Sequence, residues 1–280
     1  MIAAIVGAGP LATALASTLA ARGRVRHVRL IDDAVTVAAG KALDVRQSTP
    51  VLGSDVTIDA TADLAAAADA DVILIADAHG APPIEWEGEF GLAVLGRLAA
   101  VNGRVPIICA GARQASLVER GVGELGLPWT RILGSASIAF DAAARAIVAE
   151  AAGTAARAVF LALAGLPPTR LVVGWSASSI EGAPAEARLA PGGMAMATRR
   201  FTGAWPPGPF ALAAAAAVLL EHLDDASPAP LPAIVAAPAH GHRAAIALVR
   251  VGPSGVLHAA APALSPYERI ALDNAIAFRR

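Results

Sequence analysis

Residues 1–32 read MIAAIVGAGPLATALASTLAARGRVRHVRLID and carry the clearest structural pattern in the chain. This stretch opens with a short apolar run, Met1–Val6, and a glycine turn follows at once over residues 7–12. Ala14–Ala21 then has the composition of a helix, and a second apolar run, Val28–Ile31, ends at Asp32. Strand, glycine turn, helix, strand and acid in this order predict a parallel βαβ unit.

The glycine turn has the spacing of a dinucleotide-binding fingerprint. In such a unit the first glycine, here Gly7, permits the tight turn, and the second, Gly9, lets the backbone approach a pyrophosphate at the helix N-terminus. Ala12 stands at the third position, which needs only a small residue, and Asp32 follows it by 20 residues, as a ribose-binding acid does. Because glycines also occur in ordinary turns, a purely structural turn is the alternative.

Two features indicate the nature and strength of cofactor binding. Asp32-Asp33 has no arginine immediately after it, so a 2′-phosphate would be repelled, which favours NAD over NADP. Pro10 suits the first turn of a helix but removes one backbone N–H that could face the phosphates. We therefore expect weak NAD binding, with contacts from these residues: Gly7, Gly9, Pro10, Leu11, Asp32 and Ala76.

Composition limits the class of protein. The chain has 280 residues and is 56% hydrophobic, but its longest apolar run, Phe210–Leu220, is shorter than the roughly 20 residues that span a bilayer. No leader pattern precedes the first strand, so we expect a cytoplasmic protein. A net charge of −1 gives no footprint for nucleic acid or an anionic membrane. The single cysteine, Cys109, lies in an apolar run and is interpreted as a buried thiol.

Apolar runs and helical segments alternate through the first half of the chain and predict an α/β fold. Residues 1–134 are expected to form a Rossmann-type, doubly wound parallel sheet, and residues 135–280 a smaller α+β domain with antiparallel strands. The further strands predicted are Asp55–Asp59, Asp71–Ala76, Val105–Ala110, Thr130–Leu133, Ala158–Ala164, Leu171–Gly174, Ile234–Ala237, Ala244–Val251 and Val256–His258. The further helices predicted are Asp63–Ala68, Phe90–Val101, Ser116–Leu125, Phe140–Ala152, Phe210–Leu223 and Pro266–Phe278.

Three further segments resemble the lactate/malate dehydrogenase family. Ala39–Asp44 with Ser48–Pro50 is similar to the family's G-K-A-L-D and S-P segments, and Gly40 lies eight residues past Asp32, as in that pattern. Ser176–Pro184 resembles the family's stretch ending in G-x-P, and Gly252–Gly255 resembles its last hairpin turn. The resemblance implies the fold of an NAD-dependent 2-hydroxy-acid dehydrogenase and a homo-oligomer. The alanine-rich helices Ala14–Ala21 and Ala211–Leu220 favour a dimer, because small faces permit close approach.

The resemblance also implies a catalytic set that the chain does not carry. Leu161–Pro168 occupies the place of the family's histidine turn and contains no histidine. Continuing ungapped from Leu133-Gly134-Ser135 puts Phe140 at the family's aspartate and Ala143 at its substrate arginine, while Arg145 matches a further family arginine. Oxidation of a 2-hydroxy acid by NAD needs a base, a carboxylate that orients the base, and a cation that binds the substrate carboxylate.

Two other family positions differ as well. The loop over residues 77–89 has no arginine and instead carries four acids that would repel a dicarboxylate: Asp77, Glu85, Glu87 and Glu89. The family's asparagine position falls near Gly111. Four components of the family's catalytic set are thus replaced at independent sites: the histidine turn, the aspartate with its arginine, the loop arginines and the asparagine. These replacements predict that lactate and malate dehydrogenase activity is absent, and the catalytic residues remain unassigned.

Other chemistry-bearing residues give weaker signals. His79, Asp141 and Arg145 are interpreted as a solvated loop histidine and two helix-surface charges. His240-Gly241-His242 lacks an acid or cysteine cluster at ligand spacing, so no metal site is predicted. Three hypotheses remain open: an NAD-binding protein without this activity, an active oxidoreductase with an apolar pocket, and a structural subunit that binds no nucleotide. The apolar pocket would be lined by Gly165, Leu166, Phe140 and Ala143.

Overall fold

The chain folds into a large central β-sheet flanked by helices, described by a computed structural model over residues 1–80, 82 and 84–277. The described strands are β1 (Ile2–Val6), β2 (His27–Ile31), β3 (Thr57–Thr61), β4 (Val72–Ile75), β5 (Asp77–Ala78), β6 (Ile84–Glu85), β7 (Ile107–Cys109), β8 (Ile132–Gly134), β9 (Val159–Leu166), β10 (Arg170–Ile180), β11 (Ala183–Pro184), β12 (Leu231–Val235), β13 (Ala245–Gly252) and β14 (Gly255–Ala260). The described helices are α1 (Pro10–Arg22), α2 (Val35–Ser48), α3 (Gly88–Val101), α4 (Ala115–Gly123), α5 (Ala136–Ala152), α6 (Ala185–Arg188), α7 (Pro191–Phe201), α8 (Pro209–Asp225) and α9 (Pro266–Ala277).

The order of the parallel strands reverses at β1. This strand pairs with β2 on one side and with β4 on the other, β3 lies beyond β2, and β7 and β8 lie beyond β4. In doubly wound sheets ligands bind at this switch point, outside the carboxyl ends of the strands. The ends of β1 at Val6 and of β4 at Ile75 therefore mark the cleft of this chain.

The second half of the chain extends the main sheet and adds another. β12 pairs antiparallel with β8 through Ile234 and Gly134, and β13 and β14 continue the sheet in antiparallel fashion. β9, β10 and β11 form a separate antiparallel sheet. The predicted fold class, a parallel sheet with a smaller antiparallel one, is confirmed. The domain boundary after Gly134 stays a prediction.

Apolar side chains fill both faces of the main sheet. β4 is buried on both faces, as its continuous apolar run predicts for an internal parallel strand. One core lies against α1, α2 and α8, a second against α3 and α4, and a third joins α5 and α7 to β9 and β10. Cys109 lies fully buried in the second core, and this burial raises the pKa of its thiol to about 12.

Some element bounds differ from the sequence expectation. Helix α1 begins at Pro10, four residues before the predicted start, because proline fits the first helical turn. β3 covers Thr57–Thr61 because its register with β2 begins at His27 and Thr57. Helix α7 was not predicted, since Gly192-Gly193 near its start is a poor helix former. Phe278, the predicted end of the last helix, lies outside the described residues.

The described helices are individually short or only partly apolar. No single one is long and apolar enough to cross a membrane; a bent pair, residues 191–204 and 209–225 at 98°, passes the same test only when the two are joined.

Candidate functional site

The glycine turn lies at the switch point of the sheet and is in close contact with another segment of the chain. Gly7 follows β1 with φ of +123°, a backbone conformation that glycine adopts readily. A Cβ atom at Gly7 would overlap the main-chain carbonyl of Asp77, and one at Gly9 would overlap the Asp77 carboxylate. The space that these glycines leave open beside the backbone is therefore filled by Asp77.

The Asp77 carboxylate binds the N-terminus of helix α1. Its Oδ1 accepts from the N–H of Ala12 at 2.9 Å and its Oδ2 from the N–H of Leu11 at 3.2 Å. The main-chain oxygen of Asp77 accepts from the N–H of Gly9 at 2.9 Å. These amides belong to the turn to which the fingerprint assigns the pyrophosphate. Burial raises the pKa of Asp77, although the bonds from Ala12 and Leu11 oppose the shift.

The Asp32 carboxylate is likewise bonded to the chain itself. It is 6% exposed, and its Oδ2 accepts from the N–H groups of Ala8 at 2.8 Å and His79 at 2.9 Å. Its Oδ1 accepts from the N–H of Ala34 at 2.8 Å. Asp32, the predicted ribose-binding acid, thus forms hydrogen bonds both to the glycine turn, through Ala8, and to the segment after β4, through His79.

The other predicted cofactor residues differ in how open they are. Ala76 is fully buried, its N–H donates to the Val6 oxygen, and its oxygen accepts from Nε2 of Gln114 at 2.8 Å. Pro10 is exposed and lines a cavity of about 520 Å³ between the glycine turn and the proline-rich segment before α8.

Lys41 also contacts the glycine turn. Its Nζ donates to the Ala8 oxygen, and its charge partly opposes the raised pKa of Asp77.

A second carboxylate lies opposite Asp77. Strands β5 and β6 pair antiparallel with Asp77 facing Glu85, and we call these four residues the clasp. Glu85 accepts from the N–H of Ala112 at 3.1 Å and from that of Arg113 at 2.7 Å, in the loop that follows β7. Burial raises the pKa of Glu85 against the effect of these two bonds. One clasp carboxylate, that of Asp77, therefore binds main-chain amides at the N-terminus of α1. The other, that of Glu85, binds main-chain amides in the loop after β7.

Trp86, which follows the clasp directly, binds to the carboxyl end of β1. Trp86 is buried, donates from Nε1 to the Val6 oxygen at 3.2 Å and stacks on Phe90 with ring centroids 5.1 Å apart. Gln114 closes the neighbouring loop by accepting from the N–H of Gly111 at 2.9 Å. The segment is therefore held by hydrogen bonds to β1 and to the loop after β7.

The residues at the implied catalytic positions lie in packed surroundings. Phe140 is fully buried and makes edge contacts with Phe201 and Trp205, at centroid distances of 6.2 and 5.9 Å. Leu166 belongs to the same buried core. Gly165 and Leu166 line a cavity of about 20 Å³, and Gly165 also lines one of about 460 Å³ together with His240 and Arg269. Phe140 has no exposed surface and therefore does not line the apolar substrate pocket that was expected around it.

The remaining chemistry-bearing residues are spread apart. His79 is exposed, in agreement with its interpretation as a solvated loop residue. Asp141 differs from the expectation of a surface charge: it is 8% exposed and pairs with Nε of Arg145 at 2.8 Å, and burial raises its pKa against the effect of Arg145. Burial also lowers the pKa of His240. Among the described residues, no group of three or more His, Cys, Asp or Glu side chains could hold a metal ion.

Comparison with known proteins identifies the fold. No family profile matches the chain. A malate dehydrogenase of Anaplasma marginale is 41% identical over 71 residues, which are 25% of this chain and 22% of that enzyme, so the match spans about a fifth of the relative's length. The malate dehydrogenase structure from Aeropyrum pernix matches with a TM-score of 0.87 and 19% identity, over 99% of this chain and 95% of that one. The fold is that of the malate and lactate dehydrogenases.

A second structure with this fold carries ligands. The lactate dehydrogenase from Cryptosporidium parvum, complexed with lactic acid and nicotinamide adenine dinucleotide, matches with a TM-score of 0.86 and 21% identity. The match covers 99% of this chain and 94% of that one. At this identity the similarity defines the shared fold, and the chemistry of this chain has to be argued from its own residues.

Sequence reasoning missed the contacts of the two clasp carboxylates. It placed Asp77 and Glu85 in an acidic loop and treated them only as charges that repel an anionic substrate. The available signal was position: Asp77 follows a buried parallel strand directly, and side chains at that edge face the switch point. No comparable signal marks Glu85, whose partners lie 27 and 28 residues farther along the chain.

Proposed function

We propose that this chain is a protein with the lactate/malate dehydrogenase fold that binds NAD weakly and has no lactate or malate dehydrogenase activity. Three features support NAD as the ligand. The fingerprint Gly7–Ala12 is present, it lies at the switch point of a doubly wound sheet, and a structure of the same fold is complexed with this dinucleotide. Asp32-Asp33, with no arginine immediately after it, favours NAD over NADP.

Weak binding is supported by the contacts that a dinucleotide would have to replace. A pyrophosphate at the α1 N-terminus needs the N–H groups of Leu11 and Ala12, which donate to Asp77. A ribose would have to compete with Ala8 and His79 for Asp32. Each bond that the chain already makes reduces the net gain from the ligand, and this adds to the donor missing at Pro10.

One observation carries the absence of activity. Phe140, at the position where the resemblance implies the carboxylate that orients the base, is fully buried among aromatic rings. The segment Leu161–Pro168, where the resemblance implies the base, offers no titratable side chain. A positioned base contributes typically about 10²–10⁴-fold, so its loss together with the carboxylate and the arginines removes most of the rate enhancement.

The test is an assay of the purified chain with NADH and either oxaloacetate or pyruvate. We expect no turnover above the enzyme-free rate, and any residual rate should lack the near-neutral titration of a catalytic histidine. Turnover above about one per second, the low end for ordinary enzymes, would contradict the proposal. Calorimetric titration with NADH tests the cofactor separately: weak binding that Asp32→Ala reduces is expected, and no heat at millimolar NADH would contradict it.

A structural subunit is the second candidate, favoured by apolar side chains at the surface near α2 and α8. Phe210 at the start of α8 is 81% exposed, Leu43 on α2 is 44% exposed, and Val51 and Leu52 after α2 are also exposed. Such side chains are typical of a surface that another protein covers. We propose a second copy of the chain as that partner, with assembly rather than turnover as the function.

A further inference from the structure

We propose that the clasp is an intramolecular competitor of the dinucleotide: Asp77 and Glu85 occupy main-chain anion sites of the cofactor cleft, and a bound dinucleotide must displace Asp77. The inference rests on the proposed function, because it concerns the same cleft. It adds a self-inhibited state in which the chain supplies its own anion.

The Asp77 carboxylate and the pyrophosphate of a dinucleotide need the same hydrogen-bond donors. The N–H groups of Leu11 and Ala12 each carry one proton, and both donate to the Asp77 carboxylate. The carboxylate also fills the space beside Gly9 through which a pyrophosphate would approach the backbone. Asp77 and a pyrophosphate therefore exclude each other by hydrogen bonding and by volume.

The clasp is held by its carboxylates rather than by apolar packing. Ile84, its one large apolar side chain, is 58% exposed, and Ala78 is small. Glu85 adds two bonds, to Ala112 and Arg113, across the cleft from those of Asp77. Charge-assisted bonds of this kind are exchangeable for equivalent bonds to a phosphate, because the donors remain the same.

The cleft contains open volume that the displaced Asp77 carboxylate can enter. Asp77 and Glu85 both line the cavity of about 520 Å³ that also contacts Pro10 and Leu11. Asp77 can turn into this volume without unfolding β4, which ends two residues earlier. The cavity thus provides an open state in which the amides of α1 face a ligand.

The size of the effect follows from the closed population. If the clasp is closed in 90–99% of molecules, the apparent affinity for a dinucleotide falls about 10- to 100-fold. Removing the Asp77 carboxylate should recover this factor. Removing the charge of Glu85 should increase the affinity for the dinucleotide by a smaller factor, because the α1 amides stay bound to Asp77.

The experiment compares calorimetric titrations of ADP-ribose and NADH into wild type, Asp77→Ala and Glu85→Gln. The matched control is Glu268→Ala, because Glu268 also binds main-chain amides, those of Ser265 and Ser176, at the start of α9 in the other half of the chain. Asp77→Asn keeps one acceptor oxygen and serves if Asp77→Ala fails to fold. We expect Asp77→Ala to bind at least about tenfold more tightly than wild type, Glu85→Gln to show a smaller gain and Glu268→Ala to show none.

The outcomes separate the two proposals. Equal affinity of wild type and Asp77→Ala overturns the competitor, while NAD binding stands. Binding by Asp77→Ala alone supports the competitor and overturns NAD binding by the wild type. No binding by either protein overturns both. An unchanged affinity of Glu85→Gln overturns the part assigned to Glu85.

Discussion

At the scale of single residues, the acids after β4 show that charge alone does not define a side chain's role. Asp77 is 5% exposed and has three partners on α1 and its preceding turn, counting its main-chain oxygen. Buried carboxylates in proteins require such donors, because leaving water costs several kcal/mol per unpaired ion. The Asp77 contacts exist because the helix N-terminus supplies free N–H groups at the switch point.

Phe140 gives a stability test at the same scale. Phe140→Ala removes a fully buried ring and its edge contacts with Phe201 and Trp205, so we expect a loss of about 3–5 kcal/mol in the free energy of unfolding. Urea unfolding measures it. Tyr267→Ala is the matched control, since this ring is 80% exposed and its loss should change stability by less than about 0.5 kcal/mol. A loss below about 1 kcal/mol at Phe140 would mean that the ring is not part of the core.

Cys109 gives a reactivity test. Because burial raises the pKa of its thiol to about 12, the native protein should hold almost no thiolate near neutral pH. Ellman's reagent is expected to leave the folded protein unmodified and to release one equivalent in denaturant, since the chain has one cysteine. Rapid reaction of the folded protein would contradict the burial of this strand.

At the scale of elements, the clasp couples the cleft to pH. Asp77 and Glu85 both have pKa values raised by burial, so each binds a proton more strongly in the closed, folded state than when solvated. Their contribution to stability is fully present below the ordinary pKa of about 4 and is lost as pH rises through the raised value. Lys41 opposes the shift at Asp77, while at Glu85 Arg113 opposes it and Glu87 adds to it.

The prediction compares wild type with Asp77→Asn, which carries no charge at any pH. As pH rises from about 4 to 7, the stability of wild type relative to this variant should fall, because the ionised carboxylate is buried at a cost. Urea unfolding at several pH values measures the difference. Parallel pH profiles for the two proteins would contradict the raised pKa of Asp77.

The alanine-rich helices have a different role from the one the sequence predicts. The alanines of α1 and α8 belong to one core within the chain, and Arg22 pairs with Glu221 at 2.7 Å across the same two helices. Small side chains do permit close approach here, but between helices of a single chain. These faces therefore do not support a dimer, and the case for one depends on the exposed apolar residues near α2 and α8.

At the scale of the whole molecule, assembly is the main testable property. If a second copy covers Phe210 and the apolar residues after α2, light scattering at tens of micromolar should give twice the 28.0 kDa of one chain. Phe210→Asp should shift the mass toward one chain, because it places a charge in an apolar interface. The matched control is Tyr267→Asp, at an 80% exposed aromatic residue on α9. A wild-type mass of 28.0 kDa would remove the dimer.

The alternation of strands and helices, the position of the glycine turn and the class of fold were all predictable from local sequence patterns. These features are local: the run Val72–Ile75 is apolar throughout because both faces of a parallel strand are buried, and Gly7 marks a turn by its backbone freedom. The replacement of the family's catalytic residues at Phe140 and within Leu161–Pro168 stays a prediction, because it rests on residue identity at positions that the resemblance matches.

The contacts of the glycine turn, in contrast, depend on how distant segments of the chain pack together. Asp77 lies 65 residues from Ala12 along the chain, and their contact depends on the pairing of β1 with β4, which no local pattern encodes. The same holds for Glu85 and the loop after β7, and for the alanine faces of α1 and α8. Residue types and spacing show which groups can bind an anion, whereas chain topology determines whether that anion comes from solution or from the chain.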